Sequence, residues 1–525
     1  MESGGGRVTQ NGVTQDIDDL PGDPETLRAL LIAERAHHAG ELVRLRAIID
    51  ALRRHRFGRR SEQLDPDQLA LALEESEQGI AAVEADQDRM PQRRERLPSH
   101  RKTNRGALPV HLPRIETVID LADTRCPCCA AAMHKIGEDV AERLDIIPAQ
   151  FRVLVTRRPK YACRICVGTV VQASAPPRLV EGGMPTEALV AQVIVSKYAD
   201  HLPLYRQAQI YARQGINLDR STLADWVGRG AWWLRPLHAK LLDELRGSSK
   251  LFADETPAPV LDPGRGRTKT GQLWAYARDD RPWAGPSPPA VAYVYAPDRK
   301  AERPVAHLQG FRGMLQVDGY AGYRALAEAG QVVLAFCWAH VRRRFFEIAQ
   351  GGDAPIATEA LARIAELYAI EAEIRGHSAD ARRIARQHRS KAIVESFGTW
   401  LDVRLATVSQ KSTIADAIRY ARSRWPGLTR FLDDGRIEID SNVVERAIRP
   451  LALNRKNALF AGSDDGGEHW AILASLIETC KLNAIDPQAY FADVFARLVA
   501  DHPINRLDEL LPWRWAVDQA ERRAA

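Results

Sequence analysis

The chain has 525 residues, 45% of them hydrophobic and 27% charged, with a net charge of +5. That length supplies several domains and at least one large core, and the composition is that of a soluble globular protein. It excludes a membrane-spanning class, because the longest apolar runs, ALVAQVIV and VVLAFCWA, fall well short of the ~20 residues a membrane helix requires.

The first residues, MESGGGRVTQNGVTQD, carry no apolar core. They predict a disordered tail over 1–24 and not a secretory signal. Over 25–90 the spacing predicts helices. Leu31, Leu45 and Leu52 lie on a seven-residue grid, with Leu42 and Ile49 on the companion row and His38 interrupting it. This is the pattern of a short dimerising coiled coil, with an amphipathic helix packed within one chain as the alternative. The stretch RRHRFGRR carries five arginines, and 91–115 holds seven Lys/Arg against Glu95 alone. The latter reads as a basic linker. Such clusters favour a polyanionic partner.

Over 116–178 the runs ETVIDL, AERLDIIP and FRVLVTRR are short and β-like. They are bracketed by Cys126-Pro-Cys-Cys129 and Cys163-Arg-Ile-Cys166. Each CxxC forms a knuckle with two sulfurs on one side, and two knuckles complete a tetrahedral four-cysteine structural zinc site. An odd count of seven cysteines, four of them paired at metal spacing, points to a reducing cytoplasm and not to disulfides.

Over 179–247 the sequence is helical. LYRQAQIYARQGINLDRSTLADWVGRG has helix-turn-helix punctuation: one helix to Arg213, a turn at Gly215, and a second helix from Asp219 or Ser221 through Trp226. Arg213, Arg220 and Arg229 are candidate phosphate contacts; the alternative is a hairpin that merely packs on the core.

Over 248–462 KLFADET, QLWAYAR and AVAYVYA read as three hairpin-like strands. DRKAERPVAHL is a helix interrupted by Pro304, and GMLQVDGY a fourth strand. YRALAEA is a helix and QVVLAFCW a fifth strand. This order fits a multidomain α/β chain whose catalytic core is ribonuclease-H-like, with the first and fourth strands neighbours at the sheet centre. A helical insertion is expected at about 345–432 and a C-terminal helical domain at 463–525.

Three acids stand out. Asp254 and Asp318 end the first and fourth strands, and Glu445 begins a helix in DSNVVERAIRP. Phosphodiester chemistry needs a nucleophile made near neutral pH and charge neutralisation at phosphorus. Two Mg2+ or Mn2+ ions held by carboxylates supply both. Asp254 is followed by Glu255, whose side chain points to the opposite face, so composition alone does not choose between them. Asp318 before Gly319 also fits a turn, and Asn442 with Glu445 a capping box.

The stretches FGRRSE, CPCC with KYACRIC, ADETP, QVDGYAGY, CWAHVRRRFFE, SNVVERAIRPLALNRKNALFAGS, SLIETCKLNAIDPQAY and RLDELLPW span almost the whole chain. In that order they resemble the DDE transposases of insertion sequence family sixty-six, the TnpC type. The resemblance implies that Asp254, Asp318 and Glu445 are the metal-holding triad. It places Cys337 and His340 of CWAH, with Asn442, near the active site. It also implies cleavage at the ends of a DNA element and strand transfer without a covalent protein–DNA intermediate. Arg446, Arg449, Arg455 and Lys456 are the candidate DNA contacts beside Glu445; exposed helix charges are the alternative for Arg446 and Arg449. Expected partners are element-end and target DNA, a second copy of the chain, and accessory proteins of the same element. Two departures from the pattern are Ala130 and Asn454, each where glycine is usual; Asn454 leaves the turn before Arg455 open. The rival reading is a DNA-binding regulator with a non-catalytic core.

Overall fold

The structure, a computed structural model, describes residues 7–10, 13–16, 114, 149–162, 170–262, 267–328, 330, 332–352 and 354–524. The predicted coiled coil, the basic linker and Cys126, Cys129, Cys163 and Cys166 lie outside the described residues. The chain divides into two compact units, Met1–Ala149 and Gln150–Ala525. In the first, Arg7–Gln10 pairs antiparallel with Val13–Asp16, inside the segment read as a tail.

In the second unit Lys160–Ala162 pairs antiparallel with Val170–Gln172. FRVLVTRR, predicted as a strand, has no strand partner among the described residues, and its Val153 and Leu154 are exposed. A strand exists only where a neighbour exchanges backbone hydrogen bonds with it, and β-branched composition does not supply that neighbour.

Three helices follow: α1 (Glu187–Tyr198), α2 (Leu204–Arg213) and α3 (Arg220–Arg246). Gly215 makes the predicted turn between α2 and α3, with φ +79°. The second helix does not stop near Trp226. It runs 27 residues, because Leu223, Trp226, Gly230, Leu234, Leu237, Leu241 and Leu245 continue one buried stripe. α3 is therefore a core helix, and a Cβ at Gly230 would meet Ile194 of α1 at 2.7 Å. Arg213, Arg220 and Arg229 stay exposed, Arg229 paired with Asp225 at 2.8 Å.

The centre of the unit is a five-stranded sheet. β1 (Lys250–Asp262), β2 (Arg267–Arg278) and β3 (Ala290–Ala296) run antiparallel, and β4 (Gly313–Val317) and β5 (Val332–Phe336) join in parallel, in the order β3-β2-β1-β4-β5. The first and fourth strands are neighbours, as the sequence predicts, but β1 does not end at Asp254: it stays paired with β2 as far as Asp262, so Asp254 lies within the strand and not at its end. β2 is buried continuously from Gly271 to Arg278, which explains its near-unbroken apolar run. Between the strands lie α4 (Glu302–His307) and α5 (Arg324–Glu328). Pro304 sits in the first turn of α4, where its missing N–H costs nothing.

After β5 come α6 (Trp338–Gln350), α7 (Pro355–Glu373), α8 (Ala379–Ala385), α9 (Lys391–Thr407), α10 (Thr413–Ser423) and α11 (Trp425–Thr429). They form a second core around Trp338, Phe345, Ile364 and Phe397. The chain then returns to the sheet as α12 (Asn442–Ala458), which packs on β1 and β2, and ends with α13 (Asp464–Leu482), α14 (Pro487–Val499) and α15 (Pro512–Ala524). None of the helices among the described residues is long and apolar enough to cross a membrane.

Edge strand β3 is closed by one face of α13. Tyr293 N–H donates to Ser475 Oγ at 2.7 Å, Val291 N–H to Thr479 Oγ1 at 3.1 Å, and Asn483 Nδ2 donates to the Pro289 carbonyl at 2.8 Å. Residues four apart on a helix follow the rise of the strand, so the open ladder is satisfied by side chains. Thr479→Val leaves buried Val291 groups without partners and is expected to cost roughly 1–3 kcal/mol. Urea unfolding monitored by fluorescence should show a lower midpoint; an unchanged midpoint would remove Thr479 from this role.

Candidate active site

Asp254 and Asp318 meet through the sheet's register. β1 and β4 pair Phe252 with Gln316, so two residues further on Asp254 stands opposite Asp318 on the same face. Asp254 is half-buried, and its carboxylate accepts the Glu255 N–H at 2.8 Å. Burial first, then the charges of Asp318, Glu255 and Glu445, hold its carboxyl up at about 7. Acids so crowded disfavour their own ionisation, and a hard divalent cation between them would reverse that balance.

Glu255 points to the other face, where it is held by Arg299 and by the Tyr323 hydroxyl, which donates at 3.1 Å. Its partners are filled by the protein, whereas Asp254 faces the other acids. Beyond Asp318 the chain turns at Gly319, φ +102°, where a Cβ would strike Arg424. The Tyr420 hydroxyl donates to the Asp318 carbonyl at 3.0 Å, and Arg344 and Arg424 lie over the Tyr420 ring at 4.0 and 3.9 Å. This pair of guanidinium groups, set on the tyrosine that bonds Asp318, comes from α6 and the end of α10. Sequence reasoning missed it, and only the RRR run after CWAH gave a signal.

Glu445 is delivered by a buried strap, residues 437–440, ahead of α12. Fully buried Gln316 grips it: Nε2 donates to the Glu438 and Asp440 carbonyls at 2.7 and 3.0 Å, and Oε1 accepts the Glu438 N–H at 3.3 Å. Trp338 N–H donates to the Ile439 carbonyl at 3.0 Å. α12 then begins at Asn442, whose side chain donates to Asp440 at 2.7 Å. Glu445 sits in its first turn, half-exposed, with Ser441 Oγ 3.4 Å away and His340 Nδ1 at 4.0 Å. Asn442 thus lies beside the site, but its amide serves Asp440 and not Glu445.

Cys337 is buried and caps α6, with its thiol pushed up to about 11 by burial. Among the described residues, one group of three metal-type side chains has all its donor atoms within 4.8 Å of one another: Cys337, His340 and Glu445. Asp254, Asp318 and Glu445 do not form such a group, so Glu445 leans toward the CWAH pair.

Of the basic candidates, Arg446, Arg449 and Lys456 are exposed on α12. Arg455 is half-buried and its guanidinium is engaged by the Pro257 carbonyl of β1, which leaves it less available to DNA. Asn454 is not in a turn. α12 continues to Ala458, and Asn454 is buried there against His201. The turn comes later, at Leu459, with φ +62°.

A family model described as "Transposase IS66 family" matches residues 182–469, and one for the IS66 C-terminal element matches 475–513. A zinc-finger binding domain of transposase IS66 matches 123–167, a span that contains all four paired cysteines. A model described as "Transposase C of IS166 homeodomain" matches 44–117. Two similar chains of Sinorhizobium fredii are the uncharacterized proteins y4jD and y4qI. The first is 46% identical over 97% of this chain and 99% of the relative. The second is 43% identical over 96% and 99%.

Gln316→Met removes the grip on the strap and leaves the buried Glu438 and Asp440 carbonyls unpaired, at a cost of roughly 1–3 kcal/mol each. Hydrogen–deuterium exchange over 437–445 should rise at least tenfold while β1 and β2 stay protected. Unchanged exchange would show that the strap is held by other contacts.

Proposed function

The chain belongs to the IS66 transposase family, and from that premise we propose that it binds the ends of an insertion sequence and catalyses cleavage and strand transfer there. Membership implies DNA as the partner and divalent metal ions in the chemistry. The observation that carries the finer reading is the register that sets Asp254 opposite Asp318 on adjacent central strands, with the helix bearing Glu445 packed over β1.

In this reading the strand order β3-β2-β1-β4-β5 is a ribonuclease-H-like core, and Asp254, Asp318 and Glu445 hold two Mg2+ or Mn2+ ions. Such ions lower the pKa of a bound water and neutralise charge developing at phosphorus. The protein's own part is positional. The sheet fixes the two aspartates, Gln316 fixes the strap, and the strap fixes where Glu445 meets them. Glu255 stays out of the metal set because Arg299 and Tyr323 hold it on the other face.

DNA phosphates are met by Arg446, Arg449 and Lys456 along α12, and by Arg344 and Arg424 beside Asp318. Arg213 and Arg220 at the α2–α3 turn offer a second contact strip. The four cysteines of 123–167 hold a structural Zn2+, and two element ends brought together require at least two copies of the chain. Accessory proteins of the same element join that assembly.

Asp254→Asn, Asp318→Asn and Glu445→Gln should each reduce Mg2+-dependent cleavage of a labelled element-end duplex below detection. Each variant should keep its DNA affinity within about threefold in a mobility-shift assay, because the loss is of metal-holding and not of phosphate contacts. Cleavage that persists in one variant takes that residue out of the triad. Loss of DNA binding in all three would favour a structural role.

A further inference from the structure

We propose that Cys337, His340 and Glu445 form a binding site for a thiophilic divalent cation, Zn2+ foremost, that ties α12 to α6. The site is distinct from the paired aspartates and from the four-cysteine segment. Its donors are a thiol, an imidazole nitrogen and a carboxylate oxygen, all within 4.8 Å of one another. A tetrahedral Zn2+ with bonds of about 2.0–2.3 Å sets its donors roughly 3.3–3.6 Å apart. The His340 Nδ1 to Glu445 Oε1 distance of 4.0 Å is already close to that. Glu445, half-exposed at the start of α12, closes the remainder by side-chain rotation alone.

The second observation is a polar atom with nothing to bond. His340 Nδ1 is shielded from solvent and has no hydrogen-bond partner, although buried polar atoms are nearly always paired. An imidazole that served packing alone would be expected to turn this nitrogen toward a donor or a carbonyl. Here it is turned toward a thiol and a carboxylate. The backbone around the sulfur already orients it. Cys337 caps the N-terminus of α6, and Ser441 N–H donates to its Sγ at 3.2 Å. N–H groups around a sulfur orient it as a ligand. The Cys-x-x-His spacing puts both side chains on one side of the first turn of the helix. Three protein ligands leave a fourth position for water or a substrate oxygen.

As the metal–sulfur bond forms, the thiol proton leaves to solvent, one proton per ion bound. Soft and borderline cations are selected over Mg2+, which prefers six oxygen donors. The proposal does not depend on Glu445 belonging to the Mg2+ set. If it does belong, the two sites compete for one carboxylate, and excess Zn2+ opposes Mg2+.

The test counts metal in the full-length protein. Wild type, Cys337→Ser and His340→Ala are equilibrated with Zn2+ alone, passed over a desalting column and assayed for zinc per chain. Each variant should lose one equivalent relative to wild type and keep the cysteine-bound ion of 123–167. With Co2+ as probe, the wild-type minus Cys337→Ser difference should contain a single-thiolate charge-transfer band. His340 is partly exposed, so His340→Ala guards against a Cys337→Ser variant that fails to fold. Equal zinc in all three proteins, or a flat Co2+ difference spectrum, overturns the site. No cleavage assay enters, so a failure of the catalytic reading leaves this result unaffected.

Discussion

The grip of Gln316 on the strap at 437–440 is the constraint on which the rest of this structure depends. Gln316 lies two residues before Asp318 on β4, and its side chain shares that strand's face. The residue that anchors the strap is therefore built into the strand that presents the second aspartate. A long helical excursion separates Asp318 from Glu445, and any slack in its return would move Glu445 by ångströms. Three hydrogen bonds from one buried amide, with a fourth from Trp338, remove that slack. Leaving those strap carbonyls unpaired would be costly, so the return path is fixed by satisfaction of polar groups and not by apolar packing alone.

The excursion is itself tied to the strap by buried charge. Arg386 donates to both oxygens of Glu371 at 2.7 Å and to the Ile437 carbonyl at 2.8 Å. Arg382 pairs with Glu438 at 2.7 Å and with Glu371 at 3.2 Å. Both arginines are almost wholly buried. Removing one member of such a network costs about 3–5 kcal/mol, because the others are left as unpaired buried charges. The network ties α7, α8 and Arg386 just beyond it to the strap that leads into α12. It also explains how an insertion with its own apolar core can control a site on the sheet. Tyr420, Arg344 and Arg424 bring the same insertion to the Asp318 loop, so it touches the site from both ends.

Much of this was legible in the sequence, for identifiable reasons. Short apolar runs marked β1 and β4, and the order of hairpin strands before helix-and-strand alternation predicted their adjacency; the prolines after Asp254 read as a strand end, yet β1 stays paired with β2 to Asp262. Parity of the strand explains why Asp254 and Glu255 part company, but only Arg299 and Tyr323 say which face is taken. α3 was underestimated because punctuation at its start is local, whereas its length is set by a stripe that continues past Trp226. FRVLVTRR misled because composition favours a strand without supplying a neighbour. Asn454 misled in the opposite sense, since it is buried inside α12, which runs on to Ala458. Gln316, Tyr420 and Arg424 carried no sequence signal. Their roles exist only once residues far apart in the chain are side by side.

The lean of Glu445 toward His340 and Cys337 gives the site two chemical faces, one of oxygens and one of nitrogen and sulfur. Convergence of Glu445 on the two aspartates when DNA is bound is the central claim. Its most direct measurement is iron-directed cleavage of the full-length protein: Fe2+ in place of Mg2+, with ascorbate, peroxide and element-end DNA, and the cut sites mapped. The account predicts backbone cuts near 254, 318 and 445 together, all suppressed by excess Mg2+. Cuts near 254 and 318 with none near 445, or cuts near 445 accompanied only by cuts at 337–340, would contradict it.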